Sequence, residues 1–200
     1  MTEELCRQLR EWAEAYHRAD FIANDPVQFP HRYVRQEDIE IMGLLTAVLS
    51  FGNRRMILRK VDELDALMGH APLQYVLSRR WENDFSRENQ RSFYRMVSYA
   101  AFRTYFEKLY AVYAENCTLE DALLAFSGNP MQKLCAFLGV SDRSPQKKLN
   151  MFLRWMIRRD SAVDFGIWRR MSPADLIIPL DTHVCRVAFL LGLINKPSFS

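Results

Sequence analysis

The sequence has little material for flexible linkers and none for a membrane span. It contains only 7 glycines and 8 prolines among 200 residues, so long linkers between domains are not expected. No apolar run approaches the roughly 20 residues that cross a bilayer as a helix. The N-terminus, MTEELCRQLREWAEAYHR, lacks the basic stretch and apolar core of a secretion signal. We therefore expect a cytoplasmic protein, associated with the nucleoid if it acts on DNA.

Cysteine is scarce as well. The four cysteines, Cys6, Cys117, Cys135 and Cys185, are far apart and form no CxxC or cysteine–histidine spacing. A zinc site or iron–sulfur cluster needs ligands at closer spacing. The sequence therefore predicts reduced, buried thiols, with no metal or other cofactor.

Helical periodicity dominates the rest of the chain. Apolar residues recur at three- and four-residue steps in residues 3–19 and 54–68, and residues 37–52 are apolar nearly all round, as in a central core helix. No alternating strand pattern is evident. We predict an all-α fold over residues 1–200, in one domain or two lobes. Further helices are expected over residues 72–78, 118–126, 130–139, 147–159 and from 182, with one long or two shorter helices in 86–115.

Positive charge is concentrated in a short segment. Residues 141–170 hold eight Lys and Arg against three Asp, a net charge of +5 in a chain whose total is +3. A local basic stripe is suited to contacting phosphates. A solvated helix face explains the same charges, so charge alone leaves both interpretations open.

Three further features lie in the last third. A pair of helices is predicted from MQKLCAFLG and KKLNMFLRWMIRR, joined by the turn-rich segment VSDRSPQ. Trp155 and Trp168 lie among the basic residues. In IIPLDTHVCRVA, Asp181 follows an apolar run and precedes a helix.

These motifs resemble the helix–hairpin–helix DNA glycosylases over residues 130–192. IPLDTHVCRVA is similar to the aspartate motif of that superfamily, and KKLNMFLRWM to its lysine-bearing helix. Together with DPVQFPHRY, FGNRRMI and VDFGIW, they resemble a bacterial family of uncharacterised proteins. The resemblance to that bacterial family covers nearly the whole chain, and the family is itself similar to the archaeal 8-oxoguanine DNA glycosylases.

The resemblance implies base-excision chemistry on double-stranded DNA carrying a damaged base, such as 8-oxoguanine, by a monomer. Lys147 or Lys148 is the implied Schiff-base nucleophile, and Lys147 is the better match to the superfamily lysine. The pKa of this amine must fall before it can attack. Asp181 is the implied carboxylate that stabilises positive charge on the sugar. An extruded base requires an aromatic pocket. The candidate phosphate ligands are Arg143, Arg154, Arg158 and Arg159, and the candidate pocket residues are Trp155, Trp168 and Phe165.

The sequence departs from the superfamily pattern in three ways. Gly139 is present, but VSDRSPQ replaces the rest of the usual Gly-x-Gly turn. Asp181 lies 34 residues after Lys147, a long spacing that resembles the archaeal branch. The sequence ends at Ser200, where relatives continue, so the expected fold lacks their C-terminal helices.

Other interpretations fit the same residues. Asp181 is also a suitable helix N-cap, and the two roles are compatible. The chain as a whole fits a non-catalytic nucleic-acid-binding module or a helical protein–protein adaptor. The proline-containing segment 24–33 predicts an ordered loop, for which the residues suggest no role.

Overall fold

The computed structural model describes residues 2–178 and 182–196, and it is mostly helical, so the expected all-α class is confirmed. One small sheet is present in the described part of the chain. The elements are α1 (Glu3–Tyr16), α2 (Gln36–Leu49), α3 (Arg54–Leu67), α4 (Pro72–Leu77), α5 (Trp81–Asp84), β1 (Ser92–Tyr94), β2 (Val97–Ser98), α6 (Tyr99–Tyr113), α7 (Leu119–Leu124), α8 (Pro130–Leu138), α9 (Lys147–Ile157) and α10 (Thr182–Leu190). Short 3₁₀ helices cover Ala19–Asn24, Pro26–Gln28, Pro30–Arg32 and Pro173–Asp175.

Helix α2 is the centre of the core, as its apolar composition predicts. Every residue from Ile39 to Leu49 is buried. Its main neighbour is α9, which runs in the opposite direction. Gly43 permits the close approach, since a methyl group at that position would lie 3.2 Å from the side chains of both Phe152 and Met156.

A buried carboxylate joins α2 to three distant parts of the chain. Glu40 is 0% exposed and accepts hydrogen bonds from Trp168 Nε1 at 2.6 Å, Tyr113 Oη at 2.8 Å and Leu119 N at 2.9 Å. Gln36 Nε2 donates a fourth bond, at 3.0 Å. Because a buried charge is costly unless hydrogen-bonded, these donors fix the relative positions of α2, α6, α7 and the segment after α9.

Helices α8 and α9 form a pair joined by residues 139–146. Asn129 and Gln132 build a capping box at the start of α8, and Gly139 ends it with a left-handed φ of +67°. The connector is closed by Gln146 Nε2, which donates to Ser141 O at 2.6 Å, and by Asn150 Nδ2, which donates to Pro145 O at 3.0 Å. Side-chain hydrogen bonds thus hold the turn for which the resemblance predicts glycines.

The proline-containing segment is ordered by contacts with the turn after α9. His31 Nε2 contacts Val163 O at 2.7 Å, and its ring stacks on Phe165 with centroids 4.1 Å apart. His17 Nε2 lies 2.7 Å from Ser161 Oγ and accepts a bond from Ala162 N. Residues 17–33 are therefore fastened to the C-terminal third of the chain.

Two local predictions were wrong. The strands β1 and β2 form a hairpin at the start of the segment 86–115, where only helix was predicted. Helix α2 ends at Leu49, before Gly52, and Asn53 caps α3 by accepting from Arg55 N at 3.0 Å. No helix among the described residues is long and apolar enough to cross a bilayer.

Candidate functional site

An open pocket lies where the end of α2, the β1–β2 hairpin and the start of α9 meet. Its volume is about 770 Å³, and most of its surface is apolar. Phe51 and Met151 supply ring and thioether surface, while the two lysines of α9 supply positive charge. The lining residues are Ser50, Phe51, Gly52, Met96, Val97, Pro145, Gln146, Lys147, Lys148 and Met151.

Lys148 is the most unusual group in this pocket. Its side chain is half-buried, and Nζ donates to Val48 O at 3.0 Å and lies 4.5 Å from the centre of the Phe51 ring. Burial lowers the pKa of Lys148 below the ordinary lysine value of 10.5. A larger fraction of this amine is therefore neutral near neutral pH than for an exposed lysine, and a neutral amine is the form that attacks an electrophilic carbon.

Lys147 lies beside it as the first residue of α9. It is also half-buried and lines the same pocket. Both lysines stand at the positive end of the helix dipole, where a cation is disfavoured. The structure thus places both candidate nucleophiles at one pocket, with Lys148 in the better-defined environment.

Two lysines line the pocket, and further cations lie on the segments that flank it. Residues 50–58, 91–98 and 143–151 provide or flank its lining, and they hold seven Lys and Arg and no Asp or Glu. Asp25 interacts electrostatically with Arg54 and offsets part of this charge. The remaining positive charge beside a concave apolar surface is suited to a polyanion with flat apolar groups. The cations are Arg54, Arg55, Arg91, Arg95, Arg143, Lys147 and Lys148.

Residues 25–200 match the family DUF2400, described as a protein of unknown function. The chain belongs to this family. No curated protein matches it, and no solved structure does. Every residue that lines the pocket lies inside the part shared with DUF2400, whereas α1 lies outside it.

Asp181, the carboxylate predicted to accompany the lysine, lies outside the described residues. Among the residues that are described, no group of three His, Cys, Asp or Glu could hold a metal ion. Cys135 and Cys185 are buried, as predicted, whereas Cys6 and Cys117 are only half-buried.

Of the predicted phosphate ligands, Arg154 and Arg158 are engaged in structural ion pairs. Arg154 Nε lies 3.1 Å and Arg158 Nη1 3.3 Å from the carboxylate of Asp164, whose side chain is 0% exposed. Arg159 Nη2 donates to Arg169 O at 3.0 Å. These three arginines stabilise the turn after α9, away from the pocket lining, and only Arg143 stands exposed on the connector near the lysines.

The predicted base pocket of Trp155, Trp168 and Phe165 is corrected by the structure. The two tryptophans are 1% and 0% exposed, because the apolar face of α9 and the segment after it pack onto α2. Trp168 meets Phe152 edge-on, with centroids 5.5 Å apart. Phe165 is partly buried and stacks on His31. None of the three lines the pocket that contains the lysines.

Sequence reasoning missed the residues that do form this pocket. Phe51 follows the core helix and looks like a continuation of it. Met96 and Val97 lie in a hairpin that was expected to be helical. One feature of the sequence indicated this place, namely the cluster Gly52–Arg55 between two predicted helices. In the structure Gly52 has a positive φ and the two arginines are exposed.

Proposed function

We propose that the protein is a DNA base-excision glycosylase with lyase activity on an oxidised purine, such as 8-oxoguanine, and that Lys148 is its nucleophilic amine. The observation that carries the proposal is the half-buried Lys148 with its lowered pKa in an apolar, cation-rimmed pocket. An exposed lysine does not have this environment. A lysine with only a structural role does not require a pocket beside it.

The helical arrangement supports the same function. A pair of helices, α8 and α9, presents its connector and the start of α9 at the pocket, as a helix–hairpin–helix element does when it holds a DNA backbone. We propose that the fold is glycosylase-like. Arg55, Arg143 and Lys147 then contact phosphates on either side of the extruded nucleotide.

The proposed reaction requires a neutral amine and an anionic neighbour. The lone pair of Lys148 Nζ attacks C1′ of the sugar while the bond from C1′ to the base breaks, and the base leaves with that electron pair and takes the proton that the amine loses. The C1′–O4′ bond then opens as the C=N bond forms, O4′ takes the remaining proton of the nitrogen, and a Schiff base remains on Lys148. Asp181 stabilises the positive charge that develops on the sugar.

Borohydride trapping tests the proposal, because it reduces the Schiff base to a stable protein–DNA adduct. We expect an adduct with duplex DNA containing 8-oxoguanine, lost in Lys148→Gln and retained in Lys147→Gln. Lys133→Gln is the matched control, since Lys133 is also half-buried and its Nζ also donates to a backbone carbonyl, that of Phe126, but on α8.

The outcomes separate the competing assignments. An adduct lost only in Lys147→Gln moves the amine to the neighbouring residue. Absence of any adduct across a panel of lesions, with DNA binding retained, contradicts the lyase. That result favours a non-catalytic nucleic-acid-binding module, to which the same seven cations are suited, and such binding survives Lys148→Gln and Asp181→Asn.

A further inference from the structure

The tip of the β1–β2 hairpin is the most exposed apolar point beside the pocket. Tyr94 pairs with Val97, so the turn consists of Arg95 and Met96 alone. Met96 lines the pocket and is 90% exposed. Single exposed apolar side chains are common, so exposure by itself assigns nothing to it.

The hairpin is held firmly by the pocket wall. Tyr94 Oη donates to Phe51 O at 2.9 Å, and the two rings meet edge-on with centroids 5.2 Å apart. The Arg95 guanidinium lies 5.7 Å from the Phe51 ring and packs against Gly52. Ser92 Oγ closes the turn by donating to Arg95 O at 2.6 Å. The hairpin that carries Met96 is therefore held in place by contacts with the pocket wall.

The charges around the hairpin tip indicate which kind of partner binds there. The three segments that form and flank the pocket contain no acidic residue, so a negatively charged partner is favoured over a basic or neutral one. A duplex combines phosphates with apolar base faces, and methionine is among the side chains that proteins insert between base steps.

We propose that Met96 enters the base stack next to the pocket and occupies the space of a nucleotide that has moved into it, while Arg95 contacts the adjacent phosphate. This inference rests on the proposed function only in that the same pocket receives the base. It assigns Met96 a role in opening the duplex and none in breaking the glycosidic bond.

Fluorescence of 2-aminopurine tests the inference without requiring catalysis, because this base brightens when it leaves the stack. We expect a duplex containing it to brighten on saturation with the wild-type protein. Met96→Ala loses most of that brightening, and Met96→Leu restores it because leucine is apolar and of similar volume. Val34→Ala is the matched control, since Val34 is 97% exposed and lies just before α2, at the opposite end of that helix from the pocket.

The readouts distinguish this inference from the proposed function. Brightening by wild type that is unchanged in Met96→Ala at equal saturation overturns the role of Met96, and so does wild-type binding without brightening. A borohydride adduct together with Met96-independent brightening retains the glycosylase and removes Met96. Met96-dependent brightening without an adduct retains the role of Met96 and contradicts the lyase. Absence of DNA binding overturns both.

Discussion

At the scale of single residues, two adjacent lysines differ in what surrounds them. Lys148 Nζ is held between a backbone carbonyl and an aromatic ring, and its pKa is lowered by burial. The contrast with Lys147 arises from the turn of α9, which directs successive side chains to different neighbours. The lowered pKa has a consequence that can be measured without any DNA.

Labelling of lysines with an acylating reagent reports this pKa, because only the neutral amine reacts. We expect half-maximal labelling of Lys148 in the folded protein at a pH below 10.5. Peptide mapping by mass spectrometry resolves Lys148 from its neighbour. The same lysine in denaturant is the internal control and should return to the ordinary value. Half-maximal labelling at or above 10.5 in the folded protein would contradict the environment described for this amine.

Glu40 couples protonation to stability. Burial raises its pKa above the ordinary 4.5, even though four donors bind its carboxylate. The folded protein therefore holds this proton more tightly than the unfolded chain. Its stabilising contribution is complete below pH 4.5 and is lost as the pH rises through the raised pKa.

The variant Glu40→Gln removes this titration. It should be less stable than wild type by about 1–3 kcal/mol at low pH, because its amide nitrogen faces a buried N–H donor. The difference should narrow as the pH rises, since only the wild type loses stability there. Urea unfolding of both proteins from about pH 4 to about pH 8 measures this. A difference that widens with pH would show that ionised Glu40 is the favoured form in the fold.

At the scale of elements, α9 carries the lysines and α2 holds α9 in place. Their closest approach is at Gly43, although glycine inside a helix costs about 1 kcal/mol relative to alanine. The close contacts with Phe152 and Met156 explain why the smallest residue stands there. Separation of the two helices would also shift the start of α9, and with it the pocket wall.

Substitution of Gly43 by valine should lower the free energy of unfolding by about 1–3 kcal/mol, because the added methyl groups overpack the α2–α9 contact. Denaturant unfolding measures the loss. Ala66→Val is the control, since Ala66 lies on the exposed face of α3 and reports only the lower helix propensity of valine. Because valine has a higher helix propensity than glycine, the absence of any loss in Gly43→Val would show that the contact at Gly43 can accommodate a larger side chain.

Most elements could be predicted because their signals are local. Asn129–Pro130 and Gly139 mark both ends of α8, and the apolar run after Glu37 indicates α2. The hairpin could not be predicted, since β1 and β2 comprise five residues and Phe93 and Tyr94 are both buried, which breaks the alternation of a half-buried strand. Its pairing depends on Phe51 and Lys60, which are distant in sequence.

At the scale of the whole molecule, the net charge of a sequence segment does not show where the fold places positive charge on the surface. The basic segment 141–170 is real, but Arg154 and Arg158 neutralise Asp164 on the side of the turn. The cations beside the pocket come instead from three separate segments that form or flank its lining. Sequence reasoning therefore located both candidate lysines and missed most of the surface around them, because that surface is defined by tertiary contacts.

The salt dependence of DNA binding tests whether the arginines near the pocket contact phosphates. Each phosphate contact contributes about −0.9 to the slope of log K against log salt. We expect Arg55→Gln and Arg143→Gln each to reduce the magnitude of the slope by about 1. Arg35→Gln is the control, because Arg35 is exposed and precedes α2 at the end opposite the pocket. A slope lowered equally by the control would place the interface elsewhere.

The central position of α2 also fixes the order in which the chain can fold. This helix is made early in synthesis, yet Phe152, Met156 and Trp168, which cover it or bond to Glu40, leave the ribosome more than a hundred residues later. Until then the face of α2 that α9 covers stays exposed and Glu40 lacks its bond from Trp168, although its donors Tyr113 and Leu119 have already emerged. We expect a nascent chain arrested before Lys147 to aggregate or to be held by a chaperone, and the full chain to fold only after α9 has emerged.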